Sequence, residues 1–251
     1  MTMQFLRNND LNTTTQVIVD SANTATVENI FDIDLKKQWV TDGYASTTST
    51  IFSVEFGTTT VLNKIFLQNH NLKQFRIFYN SATANTFTPA ISETTNSETS
   101  NYFNISDQTV TSIQFQVDEA QSTSTEKAVG YFYLGTTLLD FERNPTAADY
   151  KPQRPRKQVV HDMPNGGVTI FNIQEKFRTE IKWKFVTESF QDSLLGIWDT
   201  GSTFFFVPFP TTTAWNGDGF EVAWVGTFDF KHSDNNTEAG YSGRILLREV
   251  A

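Results

Sequence analysis

Apolar and polar side chains alternate along several segments of the first 140 residues. In STIFSVEFG, Phe52, Val54 and Phe56 share one phase, whereas Ser53 and Glu55 take the other. FRIFYN and SIQFQVDE repeat this period of two. Such a period places neighbouring side chains on opposite faces of a strand. The pattern therefore predicts half-buried strands of an antiparallel sandwich.

Two other stretches complete this block. KAVGYFYLGTTL, from about 127 to 138, is apolar enough to predict its last strand. SATANTFTPAISETTNSETS, residues 81–100, is polar and shows little pattern, so we predict a loop there. The pattern leaves open whether the polar residues 1–28, with VIV at 17–19, form a strand of this block or an arm to another chain.

The period changes once in the second half of the chain. VTIFNIQE and TEIKWKFVT alternate as strands, but TESFQDSLLGIWDTG has its apolar residues at helical spacing: Phe190, Leu194, Ile197 and Trp198. Thr187 or Ser189 is a candidate N-cap, and Gly201 is a candidate end. STFFFVPFP, the turn NGDG, FEVAWVGTFDF and GRILLREVA then predict further strands. We expect a single helix within a β domain.

A basic, proline-containing segment separates the two blocks. NPTAADYKPQRPRKQVV, residues 144–160, cannot be a helix interior, because each proline lacks a donor and restricts the preceding residue. We interpret it either as a semi-rigid spacer or as an assembly arm that lies along an acidic neighbour. The candidate arm residues are its four cations: Lys151, Arg154, Arg156 and Lys157.

Together these patterns predict a mostly β protein with two antiparallel β-sandwich domains, the second with one short α-helix. The first domain spans 1–140, the basic linker or arm spans 141–163, and the second domain spans 164–251. The 23 Phe residues in 251 provide apolar material for two cores and favour pleated structure.

Aromatic residues near predicted loops are candidates for an exposed contact. Trp39, Tyr44 and Trp215 fall there, although packing against nearby turns is an equally open interpretation. Trp183, Trp198 and Trp224 lie on the inward phase of their elements, so we expect them in a core.

Charge and composition exclude several classes of function. The net charge is −9, which opposes binding to nucleic acid. No apolar run approaches the roughly 20 residues that span a membrane, and we expect no signal peptide. The absence of Cys excludes disulfides and thiolate chemistry.

No motif for catalysis or cofactor binding is present in the sequence. His70, His161 and His232 sit in different segments without ligands at metal-binding spacing. A glycosidase would need two convergent carboxylates, which the pattern does not indicate. We therefore predict no enzyme activity, no cofactor and no metal, with a calcium site near Asp42 as the remaining alternative.

Residues from about 29 to 138 resemble the galactose-binding-like, or discoidin-type, jelly rolls. WVTDGYASTTSTIFSVEFG and VLNKIFLQNHNLKQFRIFYN carry this resemblance: a Trp, an Asp-Gly turn, an alternating strand, and a Leu-Asn pair before the next strand. The closing stretch SIQFQVDEAQSTSTEKAVGYFYL is similar to that family's final strands. The family's ligand sites lie in variable loops, so the resemblance implies no particular binding residue.

The second block resembles distal-tail and baseplate proteins of tailed bacteriophages. Strands, the single helix in TESFQDSLLGIWD, STFFFVPFP, a hairpin and a terminal RILLREV carry the resemblance. It implies a structural virion protein, made in the host cytoplasm, that forms a homo-oligomeric ring with tail-tube and baseplate-hub partners. The order of the domains departs from that family, in which the ring-forming domain comes first and the accessory β domain second. The alternative is a carbohydrate-binding module of the virion that contacts a host-surface glycan.

Overall fold

The structure, a computed structural model, divides into two compact units. The first contains Met3–Leu138 and Val207–Gly219, and the second contains Leu139–Phe206 and Phe220–Ala251. Residues 207–219 therefore do not belong with the rest of the predicted 164–251 domain. The described residues are 2–13, 16–19, 24–41, 48–81, 87–123, 125–163, 166–211, 215–235 and 238–250.

The strands of the first unit are β1 (Gln4–Leu6), β2 (Val17–Val19), β3 (Trp39–Val40), β4 (Thr50–His70), β5 (Leu72–Ser81), β6 (Phe87–Glu93), β7 (Asn101–Ala120), β8 (Ala128–Gly135) and β9 (Thr137–Asp140), with a short 3₁₀ segment at Thr24–Ile30. The unit is built around one antiparallel sheet with the strand order β3-β8-β4-β7-β5-β6, and β2 pairs with β4. The segment predicted as a loop, 81–100, contains β6, so that prediction is wrong there.

Strands β4 and β7 run through both layers of this sandwich. Their pairing shifts register between Glu55 and Thr60 and again between Leu62 and Lys64, and β4 pairs with β8 from Lys64 onward. Such an irregularity bends a strand pair. The two layers meet through aromatic rings, with 5.8 Å between the ring centroids of Phe52 on β4 and Phe132 on β8. The apolar phase predicted from STIFSVEFG thus faces a shared core at Phe52 and Val54.

The elements of the second unit are β10 (Tyr150–Gln153), β11 (Arg156–Asp162), β12 (Val168–Glu175), β13 (Arg178–Val186), α1 (Glu188–Thr200), β14 (Phe204–Val207), β15 (Phe220–Asn235) and β16 (Glu238–Glu249). They form a five-stranded antiparallel run, β10-β13-β16-β15-β14, and a separate hairpin of β11 and β12. The fold class, mostly β with one α-helix, is confirmed. Within 141–163, predicted as a semi-rigid spacer or an arm, β10 and β11 are paired strands, so the spacer interpretation is wrong there.

Helix α1 begins and ends where the sequence predicts. Thr187 is the N-cap, and its side chain accepts a hydrogen bond of 3.2 Å from the backbone N–H of Phe190. Gly201 ends the helix with φ 58°, a left-handed conformation that glycine adopts without a Cβ penalty. Trp198 is 36% exposed, so its expected place in the core is wrong.

The core of the second unit lies between this helix and the sheet. The ring of Phe141 is 5.1 Å from Trp183 and 6.0 Å from Phe190. Trp183 is buried there, as its inward phase predicts. No helix in the described part of the chain is long and apolar enough to cross a membrane.

Candidate functional site

Several loops of the first unit meet at one end of the sandwich. Thr50, the first residue of β4, pairs with Val117 near the end of β7, and His70, the last residue of β4, pairs with Val129 near the start of β8. The loop 121–127 joins the end of β7 to the start of β8, so both ends of β4 lie at this end of the sandwich. We call this surface the loop end. Its described residues are 41, 48–49, 70–72, 94–100, 121–123 and 125–127.

A buried histidine anchors the 94–100 loop. His70 Nδ1 accepts a hydrogen bond of 3.2 Å from the backbone N–H of Leu72, so Nε2 carries the proton and donates to Asn101 Oδ1 at 2.8 Å. Asn101 in turn donates to Asn96 Oδ1 at 3.1 Å. Burial lowers the pKa of His70 to about 4, against the opposing effect of the hydrogen bond to Asn101. The imidazole is therefore neutral near pH 7.

Asn71 binds the 121–127 loop to the turn between β4 and β5. Its side-chain amide donates to the carbonyl of Glu126 at 2.7 Å and accepts from the N–H of Ala128 at 2.8 Å. The Gln121 side chain reaches further and donates to the carbonyl of Glu98 at 2.9 Å. Side-chain amides thus add to the backbone hydrogen bonds that join these loops, such as the one from the N–H of Gln121 to the carbonyl of Asn71 at 2.7 Å.

A buried lysine holds both flanks of the 42–47 segment. The backbone N–H of Lys127 donates to Thr41 Oγ1 at 3.1 Å, and its ammonium donates to the carbonyl of Thr48. Burial lowers the pKa of Lys127, and Asp118 acts in the opposite direction. Tyr44, a predicted contact residue, lies outside the described residues, as does Asp42, the candidate calcium ligand.

Asp118 is held ionised beneath the rim. Its carboxylate accepts hydrogen bonds from Ser49 at 2.5 Å, Gln116 at 2.9 Å and Arg76 at 3.0 Å. Burial raises its pKa, but these donors outweigh burial and leave the pKa of Asp118 below its usual value.

Above these anchors, the loop end exposes hydroxyl and amide groups. No described residue of the loop end is an exposed aromatic. No three His, Asp or Glu side chains converge to hold a metal within the described ranges. Such a rim can exchange hydrogen bonds with a polyhydroxylated ligand. Its exposed polar residues are Thr48, Ser49, Thr94, Thr95, Ser97, Thr99, Gln121, Ser122, Thr123 and Thr125.

Two of the three predicted contact residues are buried, so their predicted exposure is wrong. Trp39 packs edge-on against Phe52 at 5.5 Å between ring centroids. Trp215 lies 5.2 Å from Phe66 and 5.6 Å from Tyr102. The alternative interpretation, packing near turns, describes both tryptophans. We call Phe66, Tyr102, Tyr131, Tyr133 and Trp215 the aromatic cluster.

The structure places the four candidate arm residues on the second unit. Lys151 lies on β10, whereas Arg156 and Lys157 begin β11. The guanidinium of Arg154 lies over the Phe220 ring at 5.4 Å from its centroid. Three of the four, all except Arg154, line a groove of about 750 Å³. We call it the basic groove.

The floor of the basic groove is the outward face of the sheet. Lys151, Glu180 and Leu246 pair in one cross-strand row, and Gln153, Arg178 and Arg248 pair in the next. Pro155, the start of β11 and Lys176 also line the groove. Sequence reasoning found the cations of 151–157 but missed Arg178 and Arg248, because only the strand register brings them beside that segment.

The β11–β12 hairpin exposes apolar side chains on both faces. Val160 and Ile170, which are paired across the strands, are each 55% exposed. Phe171, one position further along β12 and hence on the opposite face, is 56% exposed. Val159, Met163 and Val168 are also exposed.

No protein-family model and no curated protein match this chain. Solved structures match about half of it. Chitosan-binding module 1 from a Paenibacillus sp. IK-5 chitosanase/glucanase is 13% identical over 51% of this chain and 95% of the module, with a TM-score of 0.42. Module 2 of the same enzyme, solved with chitotriose, is 12% identical over 51% and 97%, also at 0.42.

A further match is CpGH89CBM32-5 from Clostridium perfringens, solved with GalNAc-β-1,3-galactose. It is 10% identical over 49% of this chain and 97% of the module, with a TM-score of 0.40. Identities of 10 to 13% and TM-scores below 0.5 leave the function to be decided on this chain's own residues.

Proposed function

We propose that the first unit binds carbohydrate through its loop end. The observation that carries this proposal is a rim of exposed hydroxyls and amides above three central anchors, the buried His70 and Lys127 and the half-buried Asn71. Sugars present many hydroxyls, each of which donates and accepts hydrogen bonds. The residue pattern that resembles the galactose-binding-like family agrees with this proposal.

The anchors matter because an ordered rim loses less conformational entropy when a ligand binds. His70 stays neutral near pH 7, so it fixes its loop without the cost of a buried charge. Lys127 joins Thr41 to Thr48 and so fixes these two residues of the rim relative to each other. Changes beneath the rim should thus alter affinity without removing a ligand-contacting group.

Binding without catalysis is part of this proposal. Asp118 is the buried carboxyl at the loop end, and three side-chain donors hold its pKa below the usual range. A general acid needs a raised pKa to keep its proton near neutral pH. Asp118 is therefore suited to anchoring Ser49 rather than to protonating a leaving group.

The test is titration with chitotriose and with a galactose-containing disaccharide, followed by NMR or calorimetry. We expect millimolar or tighter binding by the wild-type protein. Lys127→Met should weaken it by about tenfold, since a charge-assisted hydrogen bond to the 42–47 flank is lost. The matched control is Lys73→Met, which removes a surface ion pair with Glu119 and should leave affinity unchanged.

Three results would refute the proposal. One is the absence of binding across a glycan array and at millimolar titration. Another is unchanged affinity in a folded Lys127→Met protein. The third is an equal loss in the Lys73→Met control, which would show that charge alone matters.

A second candidate function is an assembly component, as in a phage tail tip or baseplate, and one observation favours it. The β11–β12 hairpin exposes Val160, Ile170 and Phe171, which is unusual for a surface that stays in water. Negative-stain images of purified protein would test it, and a closed ring is the expected particle. A protein that stays monomeric at high concentration and low salt would contradict self-assembly.

A further inference from the structure

The β11–β12 hairpin lacks the cover that a two-stranded sheet normally needs. Such a ribbon is only marginally stable in water unless another strand or a packed surface supports it. Val160 and Ile170 lie on one face and Phe171 on the other, all more than half exposed. In the described residues, both faces of this hairpin are open to solvent at these positions. A partner that covers one or both faces would therefore add stability.

The basic groove at the start of this hairpin holds an unbalanced charge. Six of the chain's 19 basic residues line it, against Glu180 as the single acidic residue among the lining side chains. Glu180 already pairs with Arg244 at 3.2 Å and Lys182 at 3.7 Å, and Arg156 pairs with Glu175 at 2.5 Å. Even with Glu175 counted, six cations face two carboxylates, so the groove presents excess positive charge. The six cations are Lys151, Arg156, Lys157, Lys176, Arg178 and Arg248.

Two of these cations oppose each other directly. Arg178 on β13 pairs with Arg248 on β16 in the strand register. Like charges in such positions repel and destabilise the sheet. Arg178 donates to the neutral Gln153 at 2.7 Å, which does not offset the charge. A carboxylate placed between the two guanidinium groups would remove this cost.

The groove is not purely polar. Leu246 is 44% exposed in its floor and lies beside Val225 on the neighbouring strand. An occupant therefore needs carboxylates together with apolar side chains, which is the composition of a polypeptide surface. The groove also runs into the hairpin through Arg156 and Lys157, so groove and hairpin form one continuous surface.

We infer that this surface docks on an acidic surface of a second copy of the chain. Charge complementarity selects that occupant: the whole chain carries −9, yet this surface is strongly positive. Two copies, each with a net negative charge, would otherwise repel, but the groove places positive charge of one copy against negative charge of the other where they meet. Because each copy contributes a different surface to the contact, repeated contacts can form an open filament or close into a ring. This inference rests on the assembly candidate and is independent of sugar binding.

The first experiment measures molar mass by light scattering and sedimentation against protein concentration and salt. We expect the wild-type protein to self-associate at about 50 mM salt and to dissociate at about 500 mM, where charges are screened within a few ångströms. Arg178→Thr with Arg248→Thr should weaken association by at least about tenfold. The matched control, Lys184→Thr with Lys231→Thr, removes two exposed charges outside the groove and should leave association unchanged.

A second pair of substitutions tests the hairpin. Val160→Thr with Ile170→Thr keeps β-branched residues and should also weaken association, but without removing its salt dependence. Thermal unfolding of each variant establishes that it is folded. In the same samples, the groove variants should keep the wild-type affinity for sugar, and the Lys127→Met protein should keep the wild-type self-association. The two proposals can therefore be refuted independently.

Several outcomes would overturn the inference. These are a wild-type protein that is monomeric in all conditions, association that survives the Arg178 and Arg248 substitutions, and an equal loss in the control. Monomeric protein that binds heparin would identify a polyanion site instead of a second copy.

Discussion

The aromatic row, Phe66 with its cross-strand neighbours Tyr102 and Tyr133, and the aliphatic row, Val160 with Ile170 on the β11–β12 hairpin, both lie on paired antiparallel strands but end in opposite environments. Trp215 covers the aromatic row at Phe66, and all three of its rings are buried. Val160 pairs with Ile170, and both are open to solvent. Strand pairing is common to both places, so burial is decided by what lies over the strand.

The difference between the two rows separates side chains that stabilise the fold from side chains that are available to a partner. Side chains covered within their own unit hold that unit together, because apolar area leaves water on folding. Apolar side chains that remain exposed after folding contribute little to the fold and are available to a partner. Substitutions in the two rows should therefore produce different losses, and the following predictions use that contrast.

The largest expected effect is a loss of stability from truncation in the aromatic cluster. Phe66→Ala should lower the free energy of unfolding by about 3–5 kcal/mol, because it removes a ring stacked 4.3 Å from Tyr133 and leaves a cavity. Phe171→Ala, the matched change on the hairpin, should alter it by less than about 0.5 kcal/mol. Urea unfolding measures both. Equal losses would refute the contrast.

A smaller effect is the acid sensitivity of the loop end. The folded-state pKa of His70 is about 4 against 6.5 for the free group, so the unfolded chain binds the proton first as pH falls. Its contribution to stability is present above pH 6.5 and is lost towards pH 4, roughly 3 kcal/mol at most. His70→Gln should flatten the dependence of stability on pH between 7 and 4.5 in urea unfolding.

The titration of Asp10 changes stability in the opposite direction from that of His70, so the measurement on His70 must control for it. Burial raises the pKa of Asp10 to about 6, with nearby Arg7 acting the other way. The folded state therefore takes up this proton first, and stability gains as pH falls from 6 towards 3.8. The His70 comparison is best made in an Asp10→Asn background, which should itself lose stability more steeply in acid. An Asp10→Asn protein with the same pH dependence as the wild type would contradict the raised pKa of Asp10, and a His70→Gln substitution that leaves this background unchanged would contradict the lowered pKa of His70.

Much of this fold can be predicted from the sequence where one local signal decides it. Thr187 and Gly201 bound the helix because cap chemistry is local. Alternation fails at Phe185, where φ is 57° and the register shifts, so that Val186 is buried instead. Such a bulge depends on the neighbouring strand and leaves no clear trace in the chain's own period.

The candidate sites were less predictable, because they depend on contacts between distant residues. Trp215 lies 149 positions from Phe66 in the chain, and nothing local shows that the two rings meet. Arg178 and Arg248 join the basic groove only through the strand register. The anchors of the loop end, such as Asn71, read as ordinary turn residues until the loops are assembled.

A still smaller effect tests the helix of the second unit. Thr187→Ala should cost about 1 kcal/mol, because the N–H of Phe190 loses its side-chain acceptor. Ser193→Ala is the matched control, since its hydroxyl bonds back to the carbonyl of Ser189 within the helix and caps nothing. Thermal unfolding compares them. An equal loss in the control would show that α1 is sensitive throughout rather than at its cap.

The smallest expected effect on stability is the most informative about the hairpin. Val160→Thr with Ile170→Thr should change the free energy of unfolding of dilute, monomeric protein by less than about 0.5 kcal/mol, because both side chains already face water. At high concentration and low salt the wild type should melt at a higher temperature than the variant, since association stabilises the folded state by mass action. A large loss in dilute protein would instead mean that the hairpin supports its own unit, and the contrast with the aromatic row would disappear.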